Sequence, residues 1–405
     1  MRILMAGATY YPSVNGQAIF SVNLAQGLAA RGNKVLFITQ SHFGKPYRCD
    51  HKGVRVQALR AYSLSLWYPG ARLTPFPGRE VQEALCSFQP DIVHIQDHYP
   101  ISQHVYKLSR RYNRKVVGTN HFMPENLAPY LQSIAWFKTG YRKILWRWML
   151  DLYNQLDMVT GPSQTAARIL QNQGLTTPVE AVSCGVDLER FYPDSSLDRR
   201  SWRRRFDLDE QSTLFVFVGR VDGEKRLDLL LQAMQLLRRD DLQLAIAGKG
   251  AALNGLKRQA AELGLLSNVR FLGYVPDQDL PGLLNSADIF IMPSEAELLS
   301  IATLEAMACG KPVLAARAQA LPELVTPYKN GYLFHAGDAQ EAANFMALLA
   351  DRPKRWPEMA AASLEKVQPH SLENTLKRYE EIYQSVLGQP SLPDFQMGSA
   401  SLHAA

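Results

Sequence analysis

The chain has 405 residues, 46% apolar and 20% charged, with 26 Gly and 23 Pro, a balance that excludes a disordered, collagen-like or coiled-coil protein. It is too long for one ordinary hydrophobic core, and about two or three domains are expected. The net charge of +6 conceals an asymmetry, because residues 1–190 hold 21 Lys+Arg against 11 Asp+Glu, a net of +10, and the remainder carries −4.

In chain order, short apolar runs alternate with longer amphipathic stretches. A first series of strands is expected at 3–6, 35–38, 92–95, 116–117 and 158–159. After Asp194-Ser195-Ser196 a second series follows at 214–218, 242–247, 269–272, 289–292 and 313–315. Strands that are apolar throughout and separated by helices imply parallel sheets covered on both faces. The expected architecture is α/β, with two doubly wound Rossmann-like domains facing across a cleft. The first spans residues 1–190 and the second 200–370, a late helix at 371–388 crosses back to the first, and a disordered tail occupies 389–405.

Ligands of such sheets sit at the carboxyl ends of the strands, so the loops there carry the information. After the first strand comes Tyr10-Tyr11-Pro12-Ser13-Val14-Asn15-Gly16-Gln17. Asp97 and His98 end the 92–95 run, and Gly118-Thr119-Asn120-His121-Phe122-Met123-Pro124-Glu125-Asn126 follows the next. From Trp136 to Leu150, Phe137, Tyr141, Ile144, Leu145 and Trp148 fall within one helical arc of about 100°. Lys138, Arg142, Lys143 and Arg147 lie opposite, with Trp136 and Trp146 among them. A basic amphipathic helix with interfacial Trp lies on an anionic membrane, each cation contributing about 1 kcal/mol. The plainer alternative is a solvated helix that packs its apolar arc on the sheet. A second basic cluster, Lys107, Arg110, Arg111, Arg114 and Lys115, precedes it.

In the second half, residues 214–218 run into Gly219-Arg220-Val221-Asp222-Gly223-Glu224-Lys225-Arg226, which places Arg220 and Lys225 five apart at a strand end. A guanidinium and an ammonium so placed suit a diphosphate whose charge grows as it departs, although such a loop can equally be solvated surface. Farther on, Glu297 and Glu305 stand eight apart, the first on a loop and the second in the helix that opens near Ser300 and offers free N–H groups. Carboxylates that grip vicinal hydroxyls would hold a nucleotide sugar at both ends. An acidic cap plus a surface Glu is the plainer reading.

With Gly248-Lys249-Gly250, Phe271-Leu272-Gly273 and Ala306-Met307-Ala308-Cys309-Gly310-Lys311-Pro312-Val313, this ordered set resembles the family 4 retaining glycosyltransferases of the GT-B fold, over residues 1 to about 388. The resemblance implies a catalytic set of His121, Arg220, Lys225 and Glu297. It places Arg220 and Lys225 at the donor diphosphate, Glu305 at the ribose, Glu297 at the hexose, and Tyr274 and Val275 at the base. Gly16, Gly248, Ser300 and Ile301 complete the implied donor site. Three positions depart from the family pattern. Leu299-Ser300-Ile301 replaces Phe-Gly-Leu, so the Ser300 side chain is expected to crowd or rotate the donor sugar; Gln17 replaces a second Gly, and Cys184 replaces an Asn before Gly185-Val186-Asp187.

The His121 loop looks most like that of the diacylglycerol glucosyltransferase branch. That likeness implies transfer of glucose from a UDP-sugar to a lipid acceptor, 1,2-diacylglycerol, with an α-glycoside as product and no metal cofactor. The partners expected are the nucleotide-sugar donor, the lipid and an anionic membrane surface, not nucleic acid, for which no reader motif exists. A soluble family member acting on a sugar or sugar phosphate is the alternative, and a nucleic-acid-binding protein a remote one. No stretch of about 20 apolar residues exists, the apolar start is too short for a signal peptide, and Cys49, Cys86, Cys184 and Cys309 stand far apart. The expected location is cytoplasmic, peripheral to the cytoplasmic face of a membrane.

Overall fold

The computed structural model describes residues 1–13, 15–63, 72–124 and 140–388, with the side chains of 140 and 141 excepted; the expected tail at 389–405 lies outside them. Sixteen strands are described: β1 Arg2–Ala6, β2 Lys34–Gln40, β3 Tyr47–His51, β4 Val54–Leu59, β5 Tyr62–Ser63, β6 Arg72–Leu73, β7 Ile92–Ile95, β8 Lys115–Thr119, β9 Met158–Gly161, β10 Val179–Ala181, β11 Thr213–Val218, β12 Leu242–Ala247, β13 Val269–Gly273, β14 Ile289–Met292, β15 Val313–Ala316 and β16 Gly331–Phe334. One sheet has the order β10-β9-β8-β7-β1-β2-β4-β3, and another the order β13-β12-β11-β14-β15-β16; β5 and β6 form a small hairpin. All pairings in the two large sheets are parallel except β3 with β4.

The central strands are buried along their whole length, as runs such as Ile92-Val93-His94-Ile95 and Ile289-Phe290-Ile291-Met292 require when helices cover both faces. On one face of the first sheet lie α1 Gly16–Ala30 and the late helix. On the other lie α2 Gly78–Phe88, α3 Pro100–Arg111 and α4 Gly140–Tyr153. Asn15 starts α1 by accepting a bond from the Ala18 N–H at 2.9 Å.

In each large sheet the strand order reverses at one point, between β1 and β7 in the first and between β11 and β14 in the second. Loops leaving the two strands at such a point diverge to opposite faces and open a crevice. The sequence candidates cluster there: Gly16 follows β1, Asp97 follows β7, Arg220 and Lys225 follow β11, and Glu297 follows β14.

Among the described residues, an apolar cluster and a capping carboxylate join the halves at the cleft. Met123, Ala166 and Leu298 form a small buried cluster, which packs the loop carrying Glu297 onto the loop carrying His121. The Glu323 carboxylate, on α7 Leu321–Leu324, accepts the N–H groups of Gln164 and Thr165 at 3.1 and 2.6 Å, at the start of α5 Gln164–Asn172. (α6 is Ile301–Ala308.) An anion at a helix N-terminus satisfies orphan donors and the helix dipole together. Glu323→Ala is therefore expected to loosen the closed arrangement by about 1–2 kcal/mol, seen as a larger radius of gyration in solution scattering without donor and a several-fold higher donor KM. An unchanged scattering curve and KM would refute this role.

The chain ends by returning to the first sheet. α8 Leu372–Val386 packs on α1 so closely that a Cβ at Gly27 would lie 2.5 Å from Leu376. Its Tyr383 hydroxyl meets His94 Nδ1 at 2.7 Å, and its Tyr379 hydroxyl bridges Thr119 and Thr160 at 3.1 and 3.0 Å, all buried. Two passes of chain connect the halves, and they hydrogen-bond to each other: Val186 N–H to His370 O at 2.9 Å and Leu372 N–H to Val186 O at 2.8 Å.

Candidate functional site

On the second-sheet side, three loops are knit edge to edge. The Val221 N–H donates to Lys249 O at 2.9 Å, the Ala252 N–H to Val221 O at 3.0 Å, and the Gly248 N–H to Gly273 O at 2.7 Å. Gly248 has φ +150°, and a Cβ there would lie 1.8 Å from Gly219 O. Glycine is thus required for the loop after β12 to lie against the loop after β11.

Arg220 and Lys225 are not free surface cations. Arg220 binds Asp222 through Nη1 and Glu224 through Nη2, the latter at 2.5 Å. Lys225 Nζ donates to Glu297 Oε1 at 2.7 Å and lies 3.3 Å from Glu224. The Lys225 and Glu297 side chains are each 12% exposed and that of Glu224 is 4%. Burial lowers the Lys225 pKa, but the Glu297 and Glu224 carboxylates more than offset this and hold it above its ordinary value. Asp222 also accepts the Ala251 N–H at 3.0 Å and so ties the Arg220 loop to the Gly-Lys-Gly loop. Asp222 and Glu224 were passed over in the sequence reading; the signal was present as two acids alternating with the cations inside one eight-residue loop.

Glu305 lies on α6, whose first turn is capped by Ser300. Ser300 is 3% exposed, and its Oγ accepts the Thr303 N–H at 3.2 Å and the Thr303 hydroxyl at 2.8 Å. Helix capping turns the Ser300 hydroxyl to the start of α6. Ile301 is half-buried at the head of α6. Burial pushes the Glu305 carboxyl up to about 8, with Arg190 pulling it down and Asp277 pushing it up. Tyr274 is exposed, with Lys249 Nζ 5.7 Å from its ring centre, and Val275 beside it is buried.

Across the cleft, Asp97 organises the loops after β1 and β7. Its Oδ2 accepts the Ala8 N–H at 2.5 Å and the Gln17 amide at 3.0 Å, and its Oδ1 accepts the Ser102 hydroxyl at 2.7 Å and the Tyr99 N–H at 3.1 Å. Gln17, which replaces the second Gly of the family pattern, thereby anchors the start of α1, next to Gly16. His121 Nε2 lies 3.2 Å from Gln96 Oε1, and its ring is 4.7 Å from that of Phe20. Burial lowers His121 to about 3, so the imidazole is neutral at physiological pH, with Nδ1 as acceptor when Nε2 donates to Gln96. Gln96 escaped the sequence reading, since an amide after a strand carries no distinguishing pattern.

The basic helix differs from the sequence expectation. Trp136 and Lys138 lie outside the described residues. Arg142, Lys143 and Arg147 on α4 are exposed as expected. Trp146, expected on the exposed cationic side, is instead 5% exposed and packs in the core with Met149, Leu150 and Tyr153. Ile144 and Trp148, expected in the buried arc, are 65% and 36% exposed. On the helix described over Gly140–Tyr153, the i, i+3, i+4, i+7 set that reaches the sheet is 146, 149, 150 and 153, on the side opposite the expected arc of Ile144, Leu145 and Trp148. The exposed face therefore carries Ile144 and Trp148 between its cations. Trp148 packs edge-on against His98 with ring centres 4.7 Å apart, and His98 lies 5.5 Å from Phe122. α4 is thus one layer of side chains from the His121 loop.

Among the described residues, no three His, Cys, Asp or Glu side chains are clustered as metal ligands, and no helix is long and apolar enough to cross a membrane.

Two family models match: Glycosyltransferase Family 4 over residues 14–190 and Glycosyl transferases group 1 over residues 198–363. The chain is 25% identical over 388 residues to the alpha-monoglucosyldiacylglycerol synthase of Streptococcus pneumoniae, across 95% of this chain and 85% of that one. It is 34% identical over 222 residues to the D-inositol 3-phosphate glycosyltransferase of Salinispora tropica, a match spanning 51% of this chain and 46% of that one. Its fold is that of Anabaena HepE in complex with UDP-glucose, with a TM-score of 0.76 over 95% of this chain and all of that one, at 20% identity. With two Rossmann-like halves meeting at their strand ends, and with both family models matching in order, the chain belongs to the family 4 retaining glycosyltransferases of the GT-B fold.

Proposed function

We propose that this glycosyltransferase moves glucose from UDP-glucose to the free hydroxyl of 1,2-diacylglycerol at an anionic membrane surface and gives the α-glycoside. The observation that carries the lipid acceptor is α4, where Ile144 and Trp148 stand exposed among Arg142, Lys143 and Arg147 while Trp148 packs directly on the His98–Phe122 wall of the cleft. A helix of that character rests at the headgroup level, with its cations toward anionic lipid. The similarity along nearly the whole chain to a monoglucosyldiacylglycerol synthase supports the same acceptor, and HepE, solved with UDP-glucose, supports that donor.

In this reading Arg220 and Lys225 hold the donor diphosphate, Glu305 the ribose, Glu297 the hexose, and Tyr274 and Val275 the base. Gly16 and Gly248 give the backbone close approach, and neutral His121 with Gln96 positions the sugar for attack. The acceptor oxygen forms its bond to the anomeric carbon on the face the diphosphate leaves. The bond from that carbon to the β-phosphate oxygen breaks, and the departing phosphate takes the acceptor proton. Arg220 and Lys225 neutralise the charge that grows on the leaving group, so transfer is expected to survive chelation with EDTA unchanged.

The test is incubation with radiolabelled UDP-glucose and anionic vesicles containing diacylglycerol, followed by solvent partition. Label in the organic phase, reduced by at least tenfold for Ile144→Ser/Trp148→Ser at equal donor affinity, supports the proposal. A second reading, transfer to a soluble sugar phosphate, rests on the similarity to D-inositol 3-phosphate glycosyltransferase. Label confined to the aqueous phase with an inositol phosphate acceptor would establish it instead.

A further inference from the structure

Beyond the carboxyl ends of β2 and β4 the described residues expose three large aromatic side chains: Phe43 after β2 at 71%, Tyr62 in β5 at 59% and Phe76 between β6 and α2 at 86%. The loops that carry them are joined. The Ala61 N–H, next to Tyr62, donates to Gly44 O at 3.0 Å, and Gly44 follows Phe43. Tyr62 pairs with Leu73 in the β5–β6 hairpin, and the Thr74 hydroxyl donates to Arg60 O at 2.9 Å, two residues before Phe76. Three apolar rings held in water on a braced rim are costly unless something covers them.

Charge identifies what covers them. Segments 41–48, 60–63 and 72–79 contain Lys45, Arg48, Arg60, Arg72 and Arg79 and no Asp or Glu. Lys45, Arg48, Arg60 and Arg79 are exposed. Arg79 is paired with Glu83 at 3.0 Å, while the rings beside Lys45, Arg48 and Arg60 match the headgroup boundary of an anionic bilayer, where rings enter the interface and cations meet phosphate.

This rim is continuous with α4. A Cβ at Gly78, two residues past Phe76, would lie 3.6 Å from the ring of His104, and His104 Nδ1 is 2.8 Å from Pro100 O at the head of α3. The neighbouring Tyr99 ring is 6.2 Å from Trp148. The path from Phe76 to Trp148 thus follows the first turns of α2 and α3 at the carboxyl end of the first sheet.

We infer that Phe43, Tyr62 and Phe76 form a second bilayer anchor, distinct from α4, so that the enzyme docks at two points and the mouth of the cleft is fixed in orientation to the lipid surface. The inference rests on the membrane reading above. Two attachments on one rigid body multiply rather than add, because the second binds at high effective concentration.

The test is co-sedimentation of the full chain with vesicles of neutral lipid, with and without an anionic component, comparing wild type with Phe43→Ser/Tyr62→Ser/Phe76→Ser and with Lys45→Glu/Arg60→Glu. The expected result is at least a tenfold loss of partition into anionic vesicles for either variant, with acceptor-free hydrolysis of UDP-glucose and the melting temperature unchanged. Wild-type binding to vesicles with both variants binding equally well would overturn the second anchor and leave the membrane reading intact. Absence of wild-type binding would overturn both. Self-association in ultracentrifugation, abolished by the triple variant, would assign the rings to a second copy of the chain and also overturn the inference.

Discussion

Lys225→Ala is expected to lower kcat/KM about 10³-fold, the loss of about 4 kcal/mol typical when one fixed donor to a developing anion is removed. The same substitution leaves Glu297 and Glu224 buried without their shared cation, since Lys225 lies 2.7 Å from one and 3.3 Å from the other. Removing one partner of such a cluster costs about 3 kcal/mol in stability, so the melting temperature falls together with the rate. Lys225→Arg separates the two effects, because it keeps the charge and restores the melting temperature while its broader fork displaces the diphosphate contact. Steady-state kinetics beside calorimetry reads both quantities. A Lys225→Ala enzyme within tenfold of wild-type kcat/KM would remove Lys225 from the chemistry.

The second large effect concerns Glu305. Its carboxyl is raised from 4.5 to about 8 in the folded protein, so between those values the folded state binds a proton that the unfolded state has released. The Glu305 contribution to stability is then fully present below pH 4.5, declines as pH rises, and is flat above pH 8. Glu305→Gln abolishes the decline: its unfolding free energy matches wild type below pH 4.5 and exceeds it at pH 8 by about 2 kcal/mol after discount for partial exposure, with a correspondingly higher melting temperature. Ribose hydroxyls need the ionised carboxylate as acceptor, so wild-type donor affinity is expected to strengthen from pH 6 to 8, by up to about tenfold per unit. The Gln variant binds donor weakly at every pH. Parallel melting curves for the two proteins across that range would show that the burial of Glu305 carries no such penalty.

Much of this site could be read before any coordinates, because strands buried on both faces leave uninterrupted apolar runs and the strand-end loops then follow by position. Arg220, Lys225 and Glu297 were placed on strand-end loops in that way, and Glu305 in the helix that follows. The β3–β4 hairpin was missed because Tyr47–His51 is an exposed edge strand whose Arg48, Cys49 and Asp50 have no apolar period. β16 was missed because Gly-Tyr-Leu-Phe is short and opens on glycine. The face of α4 was misjudged because periodicity fixes which residues share a face but not which of two mixed faces turns to the sheet. The carboxylates that fix Arg220 and Lys225, and the burial of Glu305, depend on contacts between distant segments, of which a linear pattern carries no record.

The return of α8 to the first sheet has a consequence for the order in which the protein is made. His94, Thr119 and Thr160 lie in the first 160 residues, yet their buried hydroxyl partners are Tyr379 and Tyr383. During synthesis the second sheet emerges whole before α8 leaves the ribosome, so the half that begins first is completed last. Until then the face of α1 that Leu376 covers stays open to water, and the wall of the cleft beneath His121 lacks its backing. A nascent chain therefore passes through a stage with a finished donor half and an unfinished acceptor half, when chaperone capture and aggregation compete with closure.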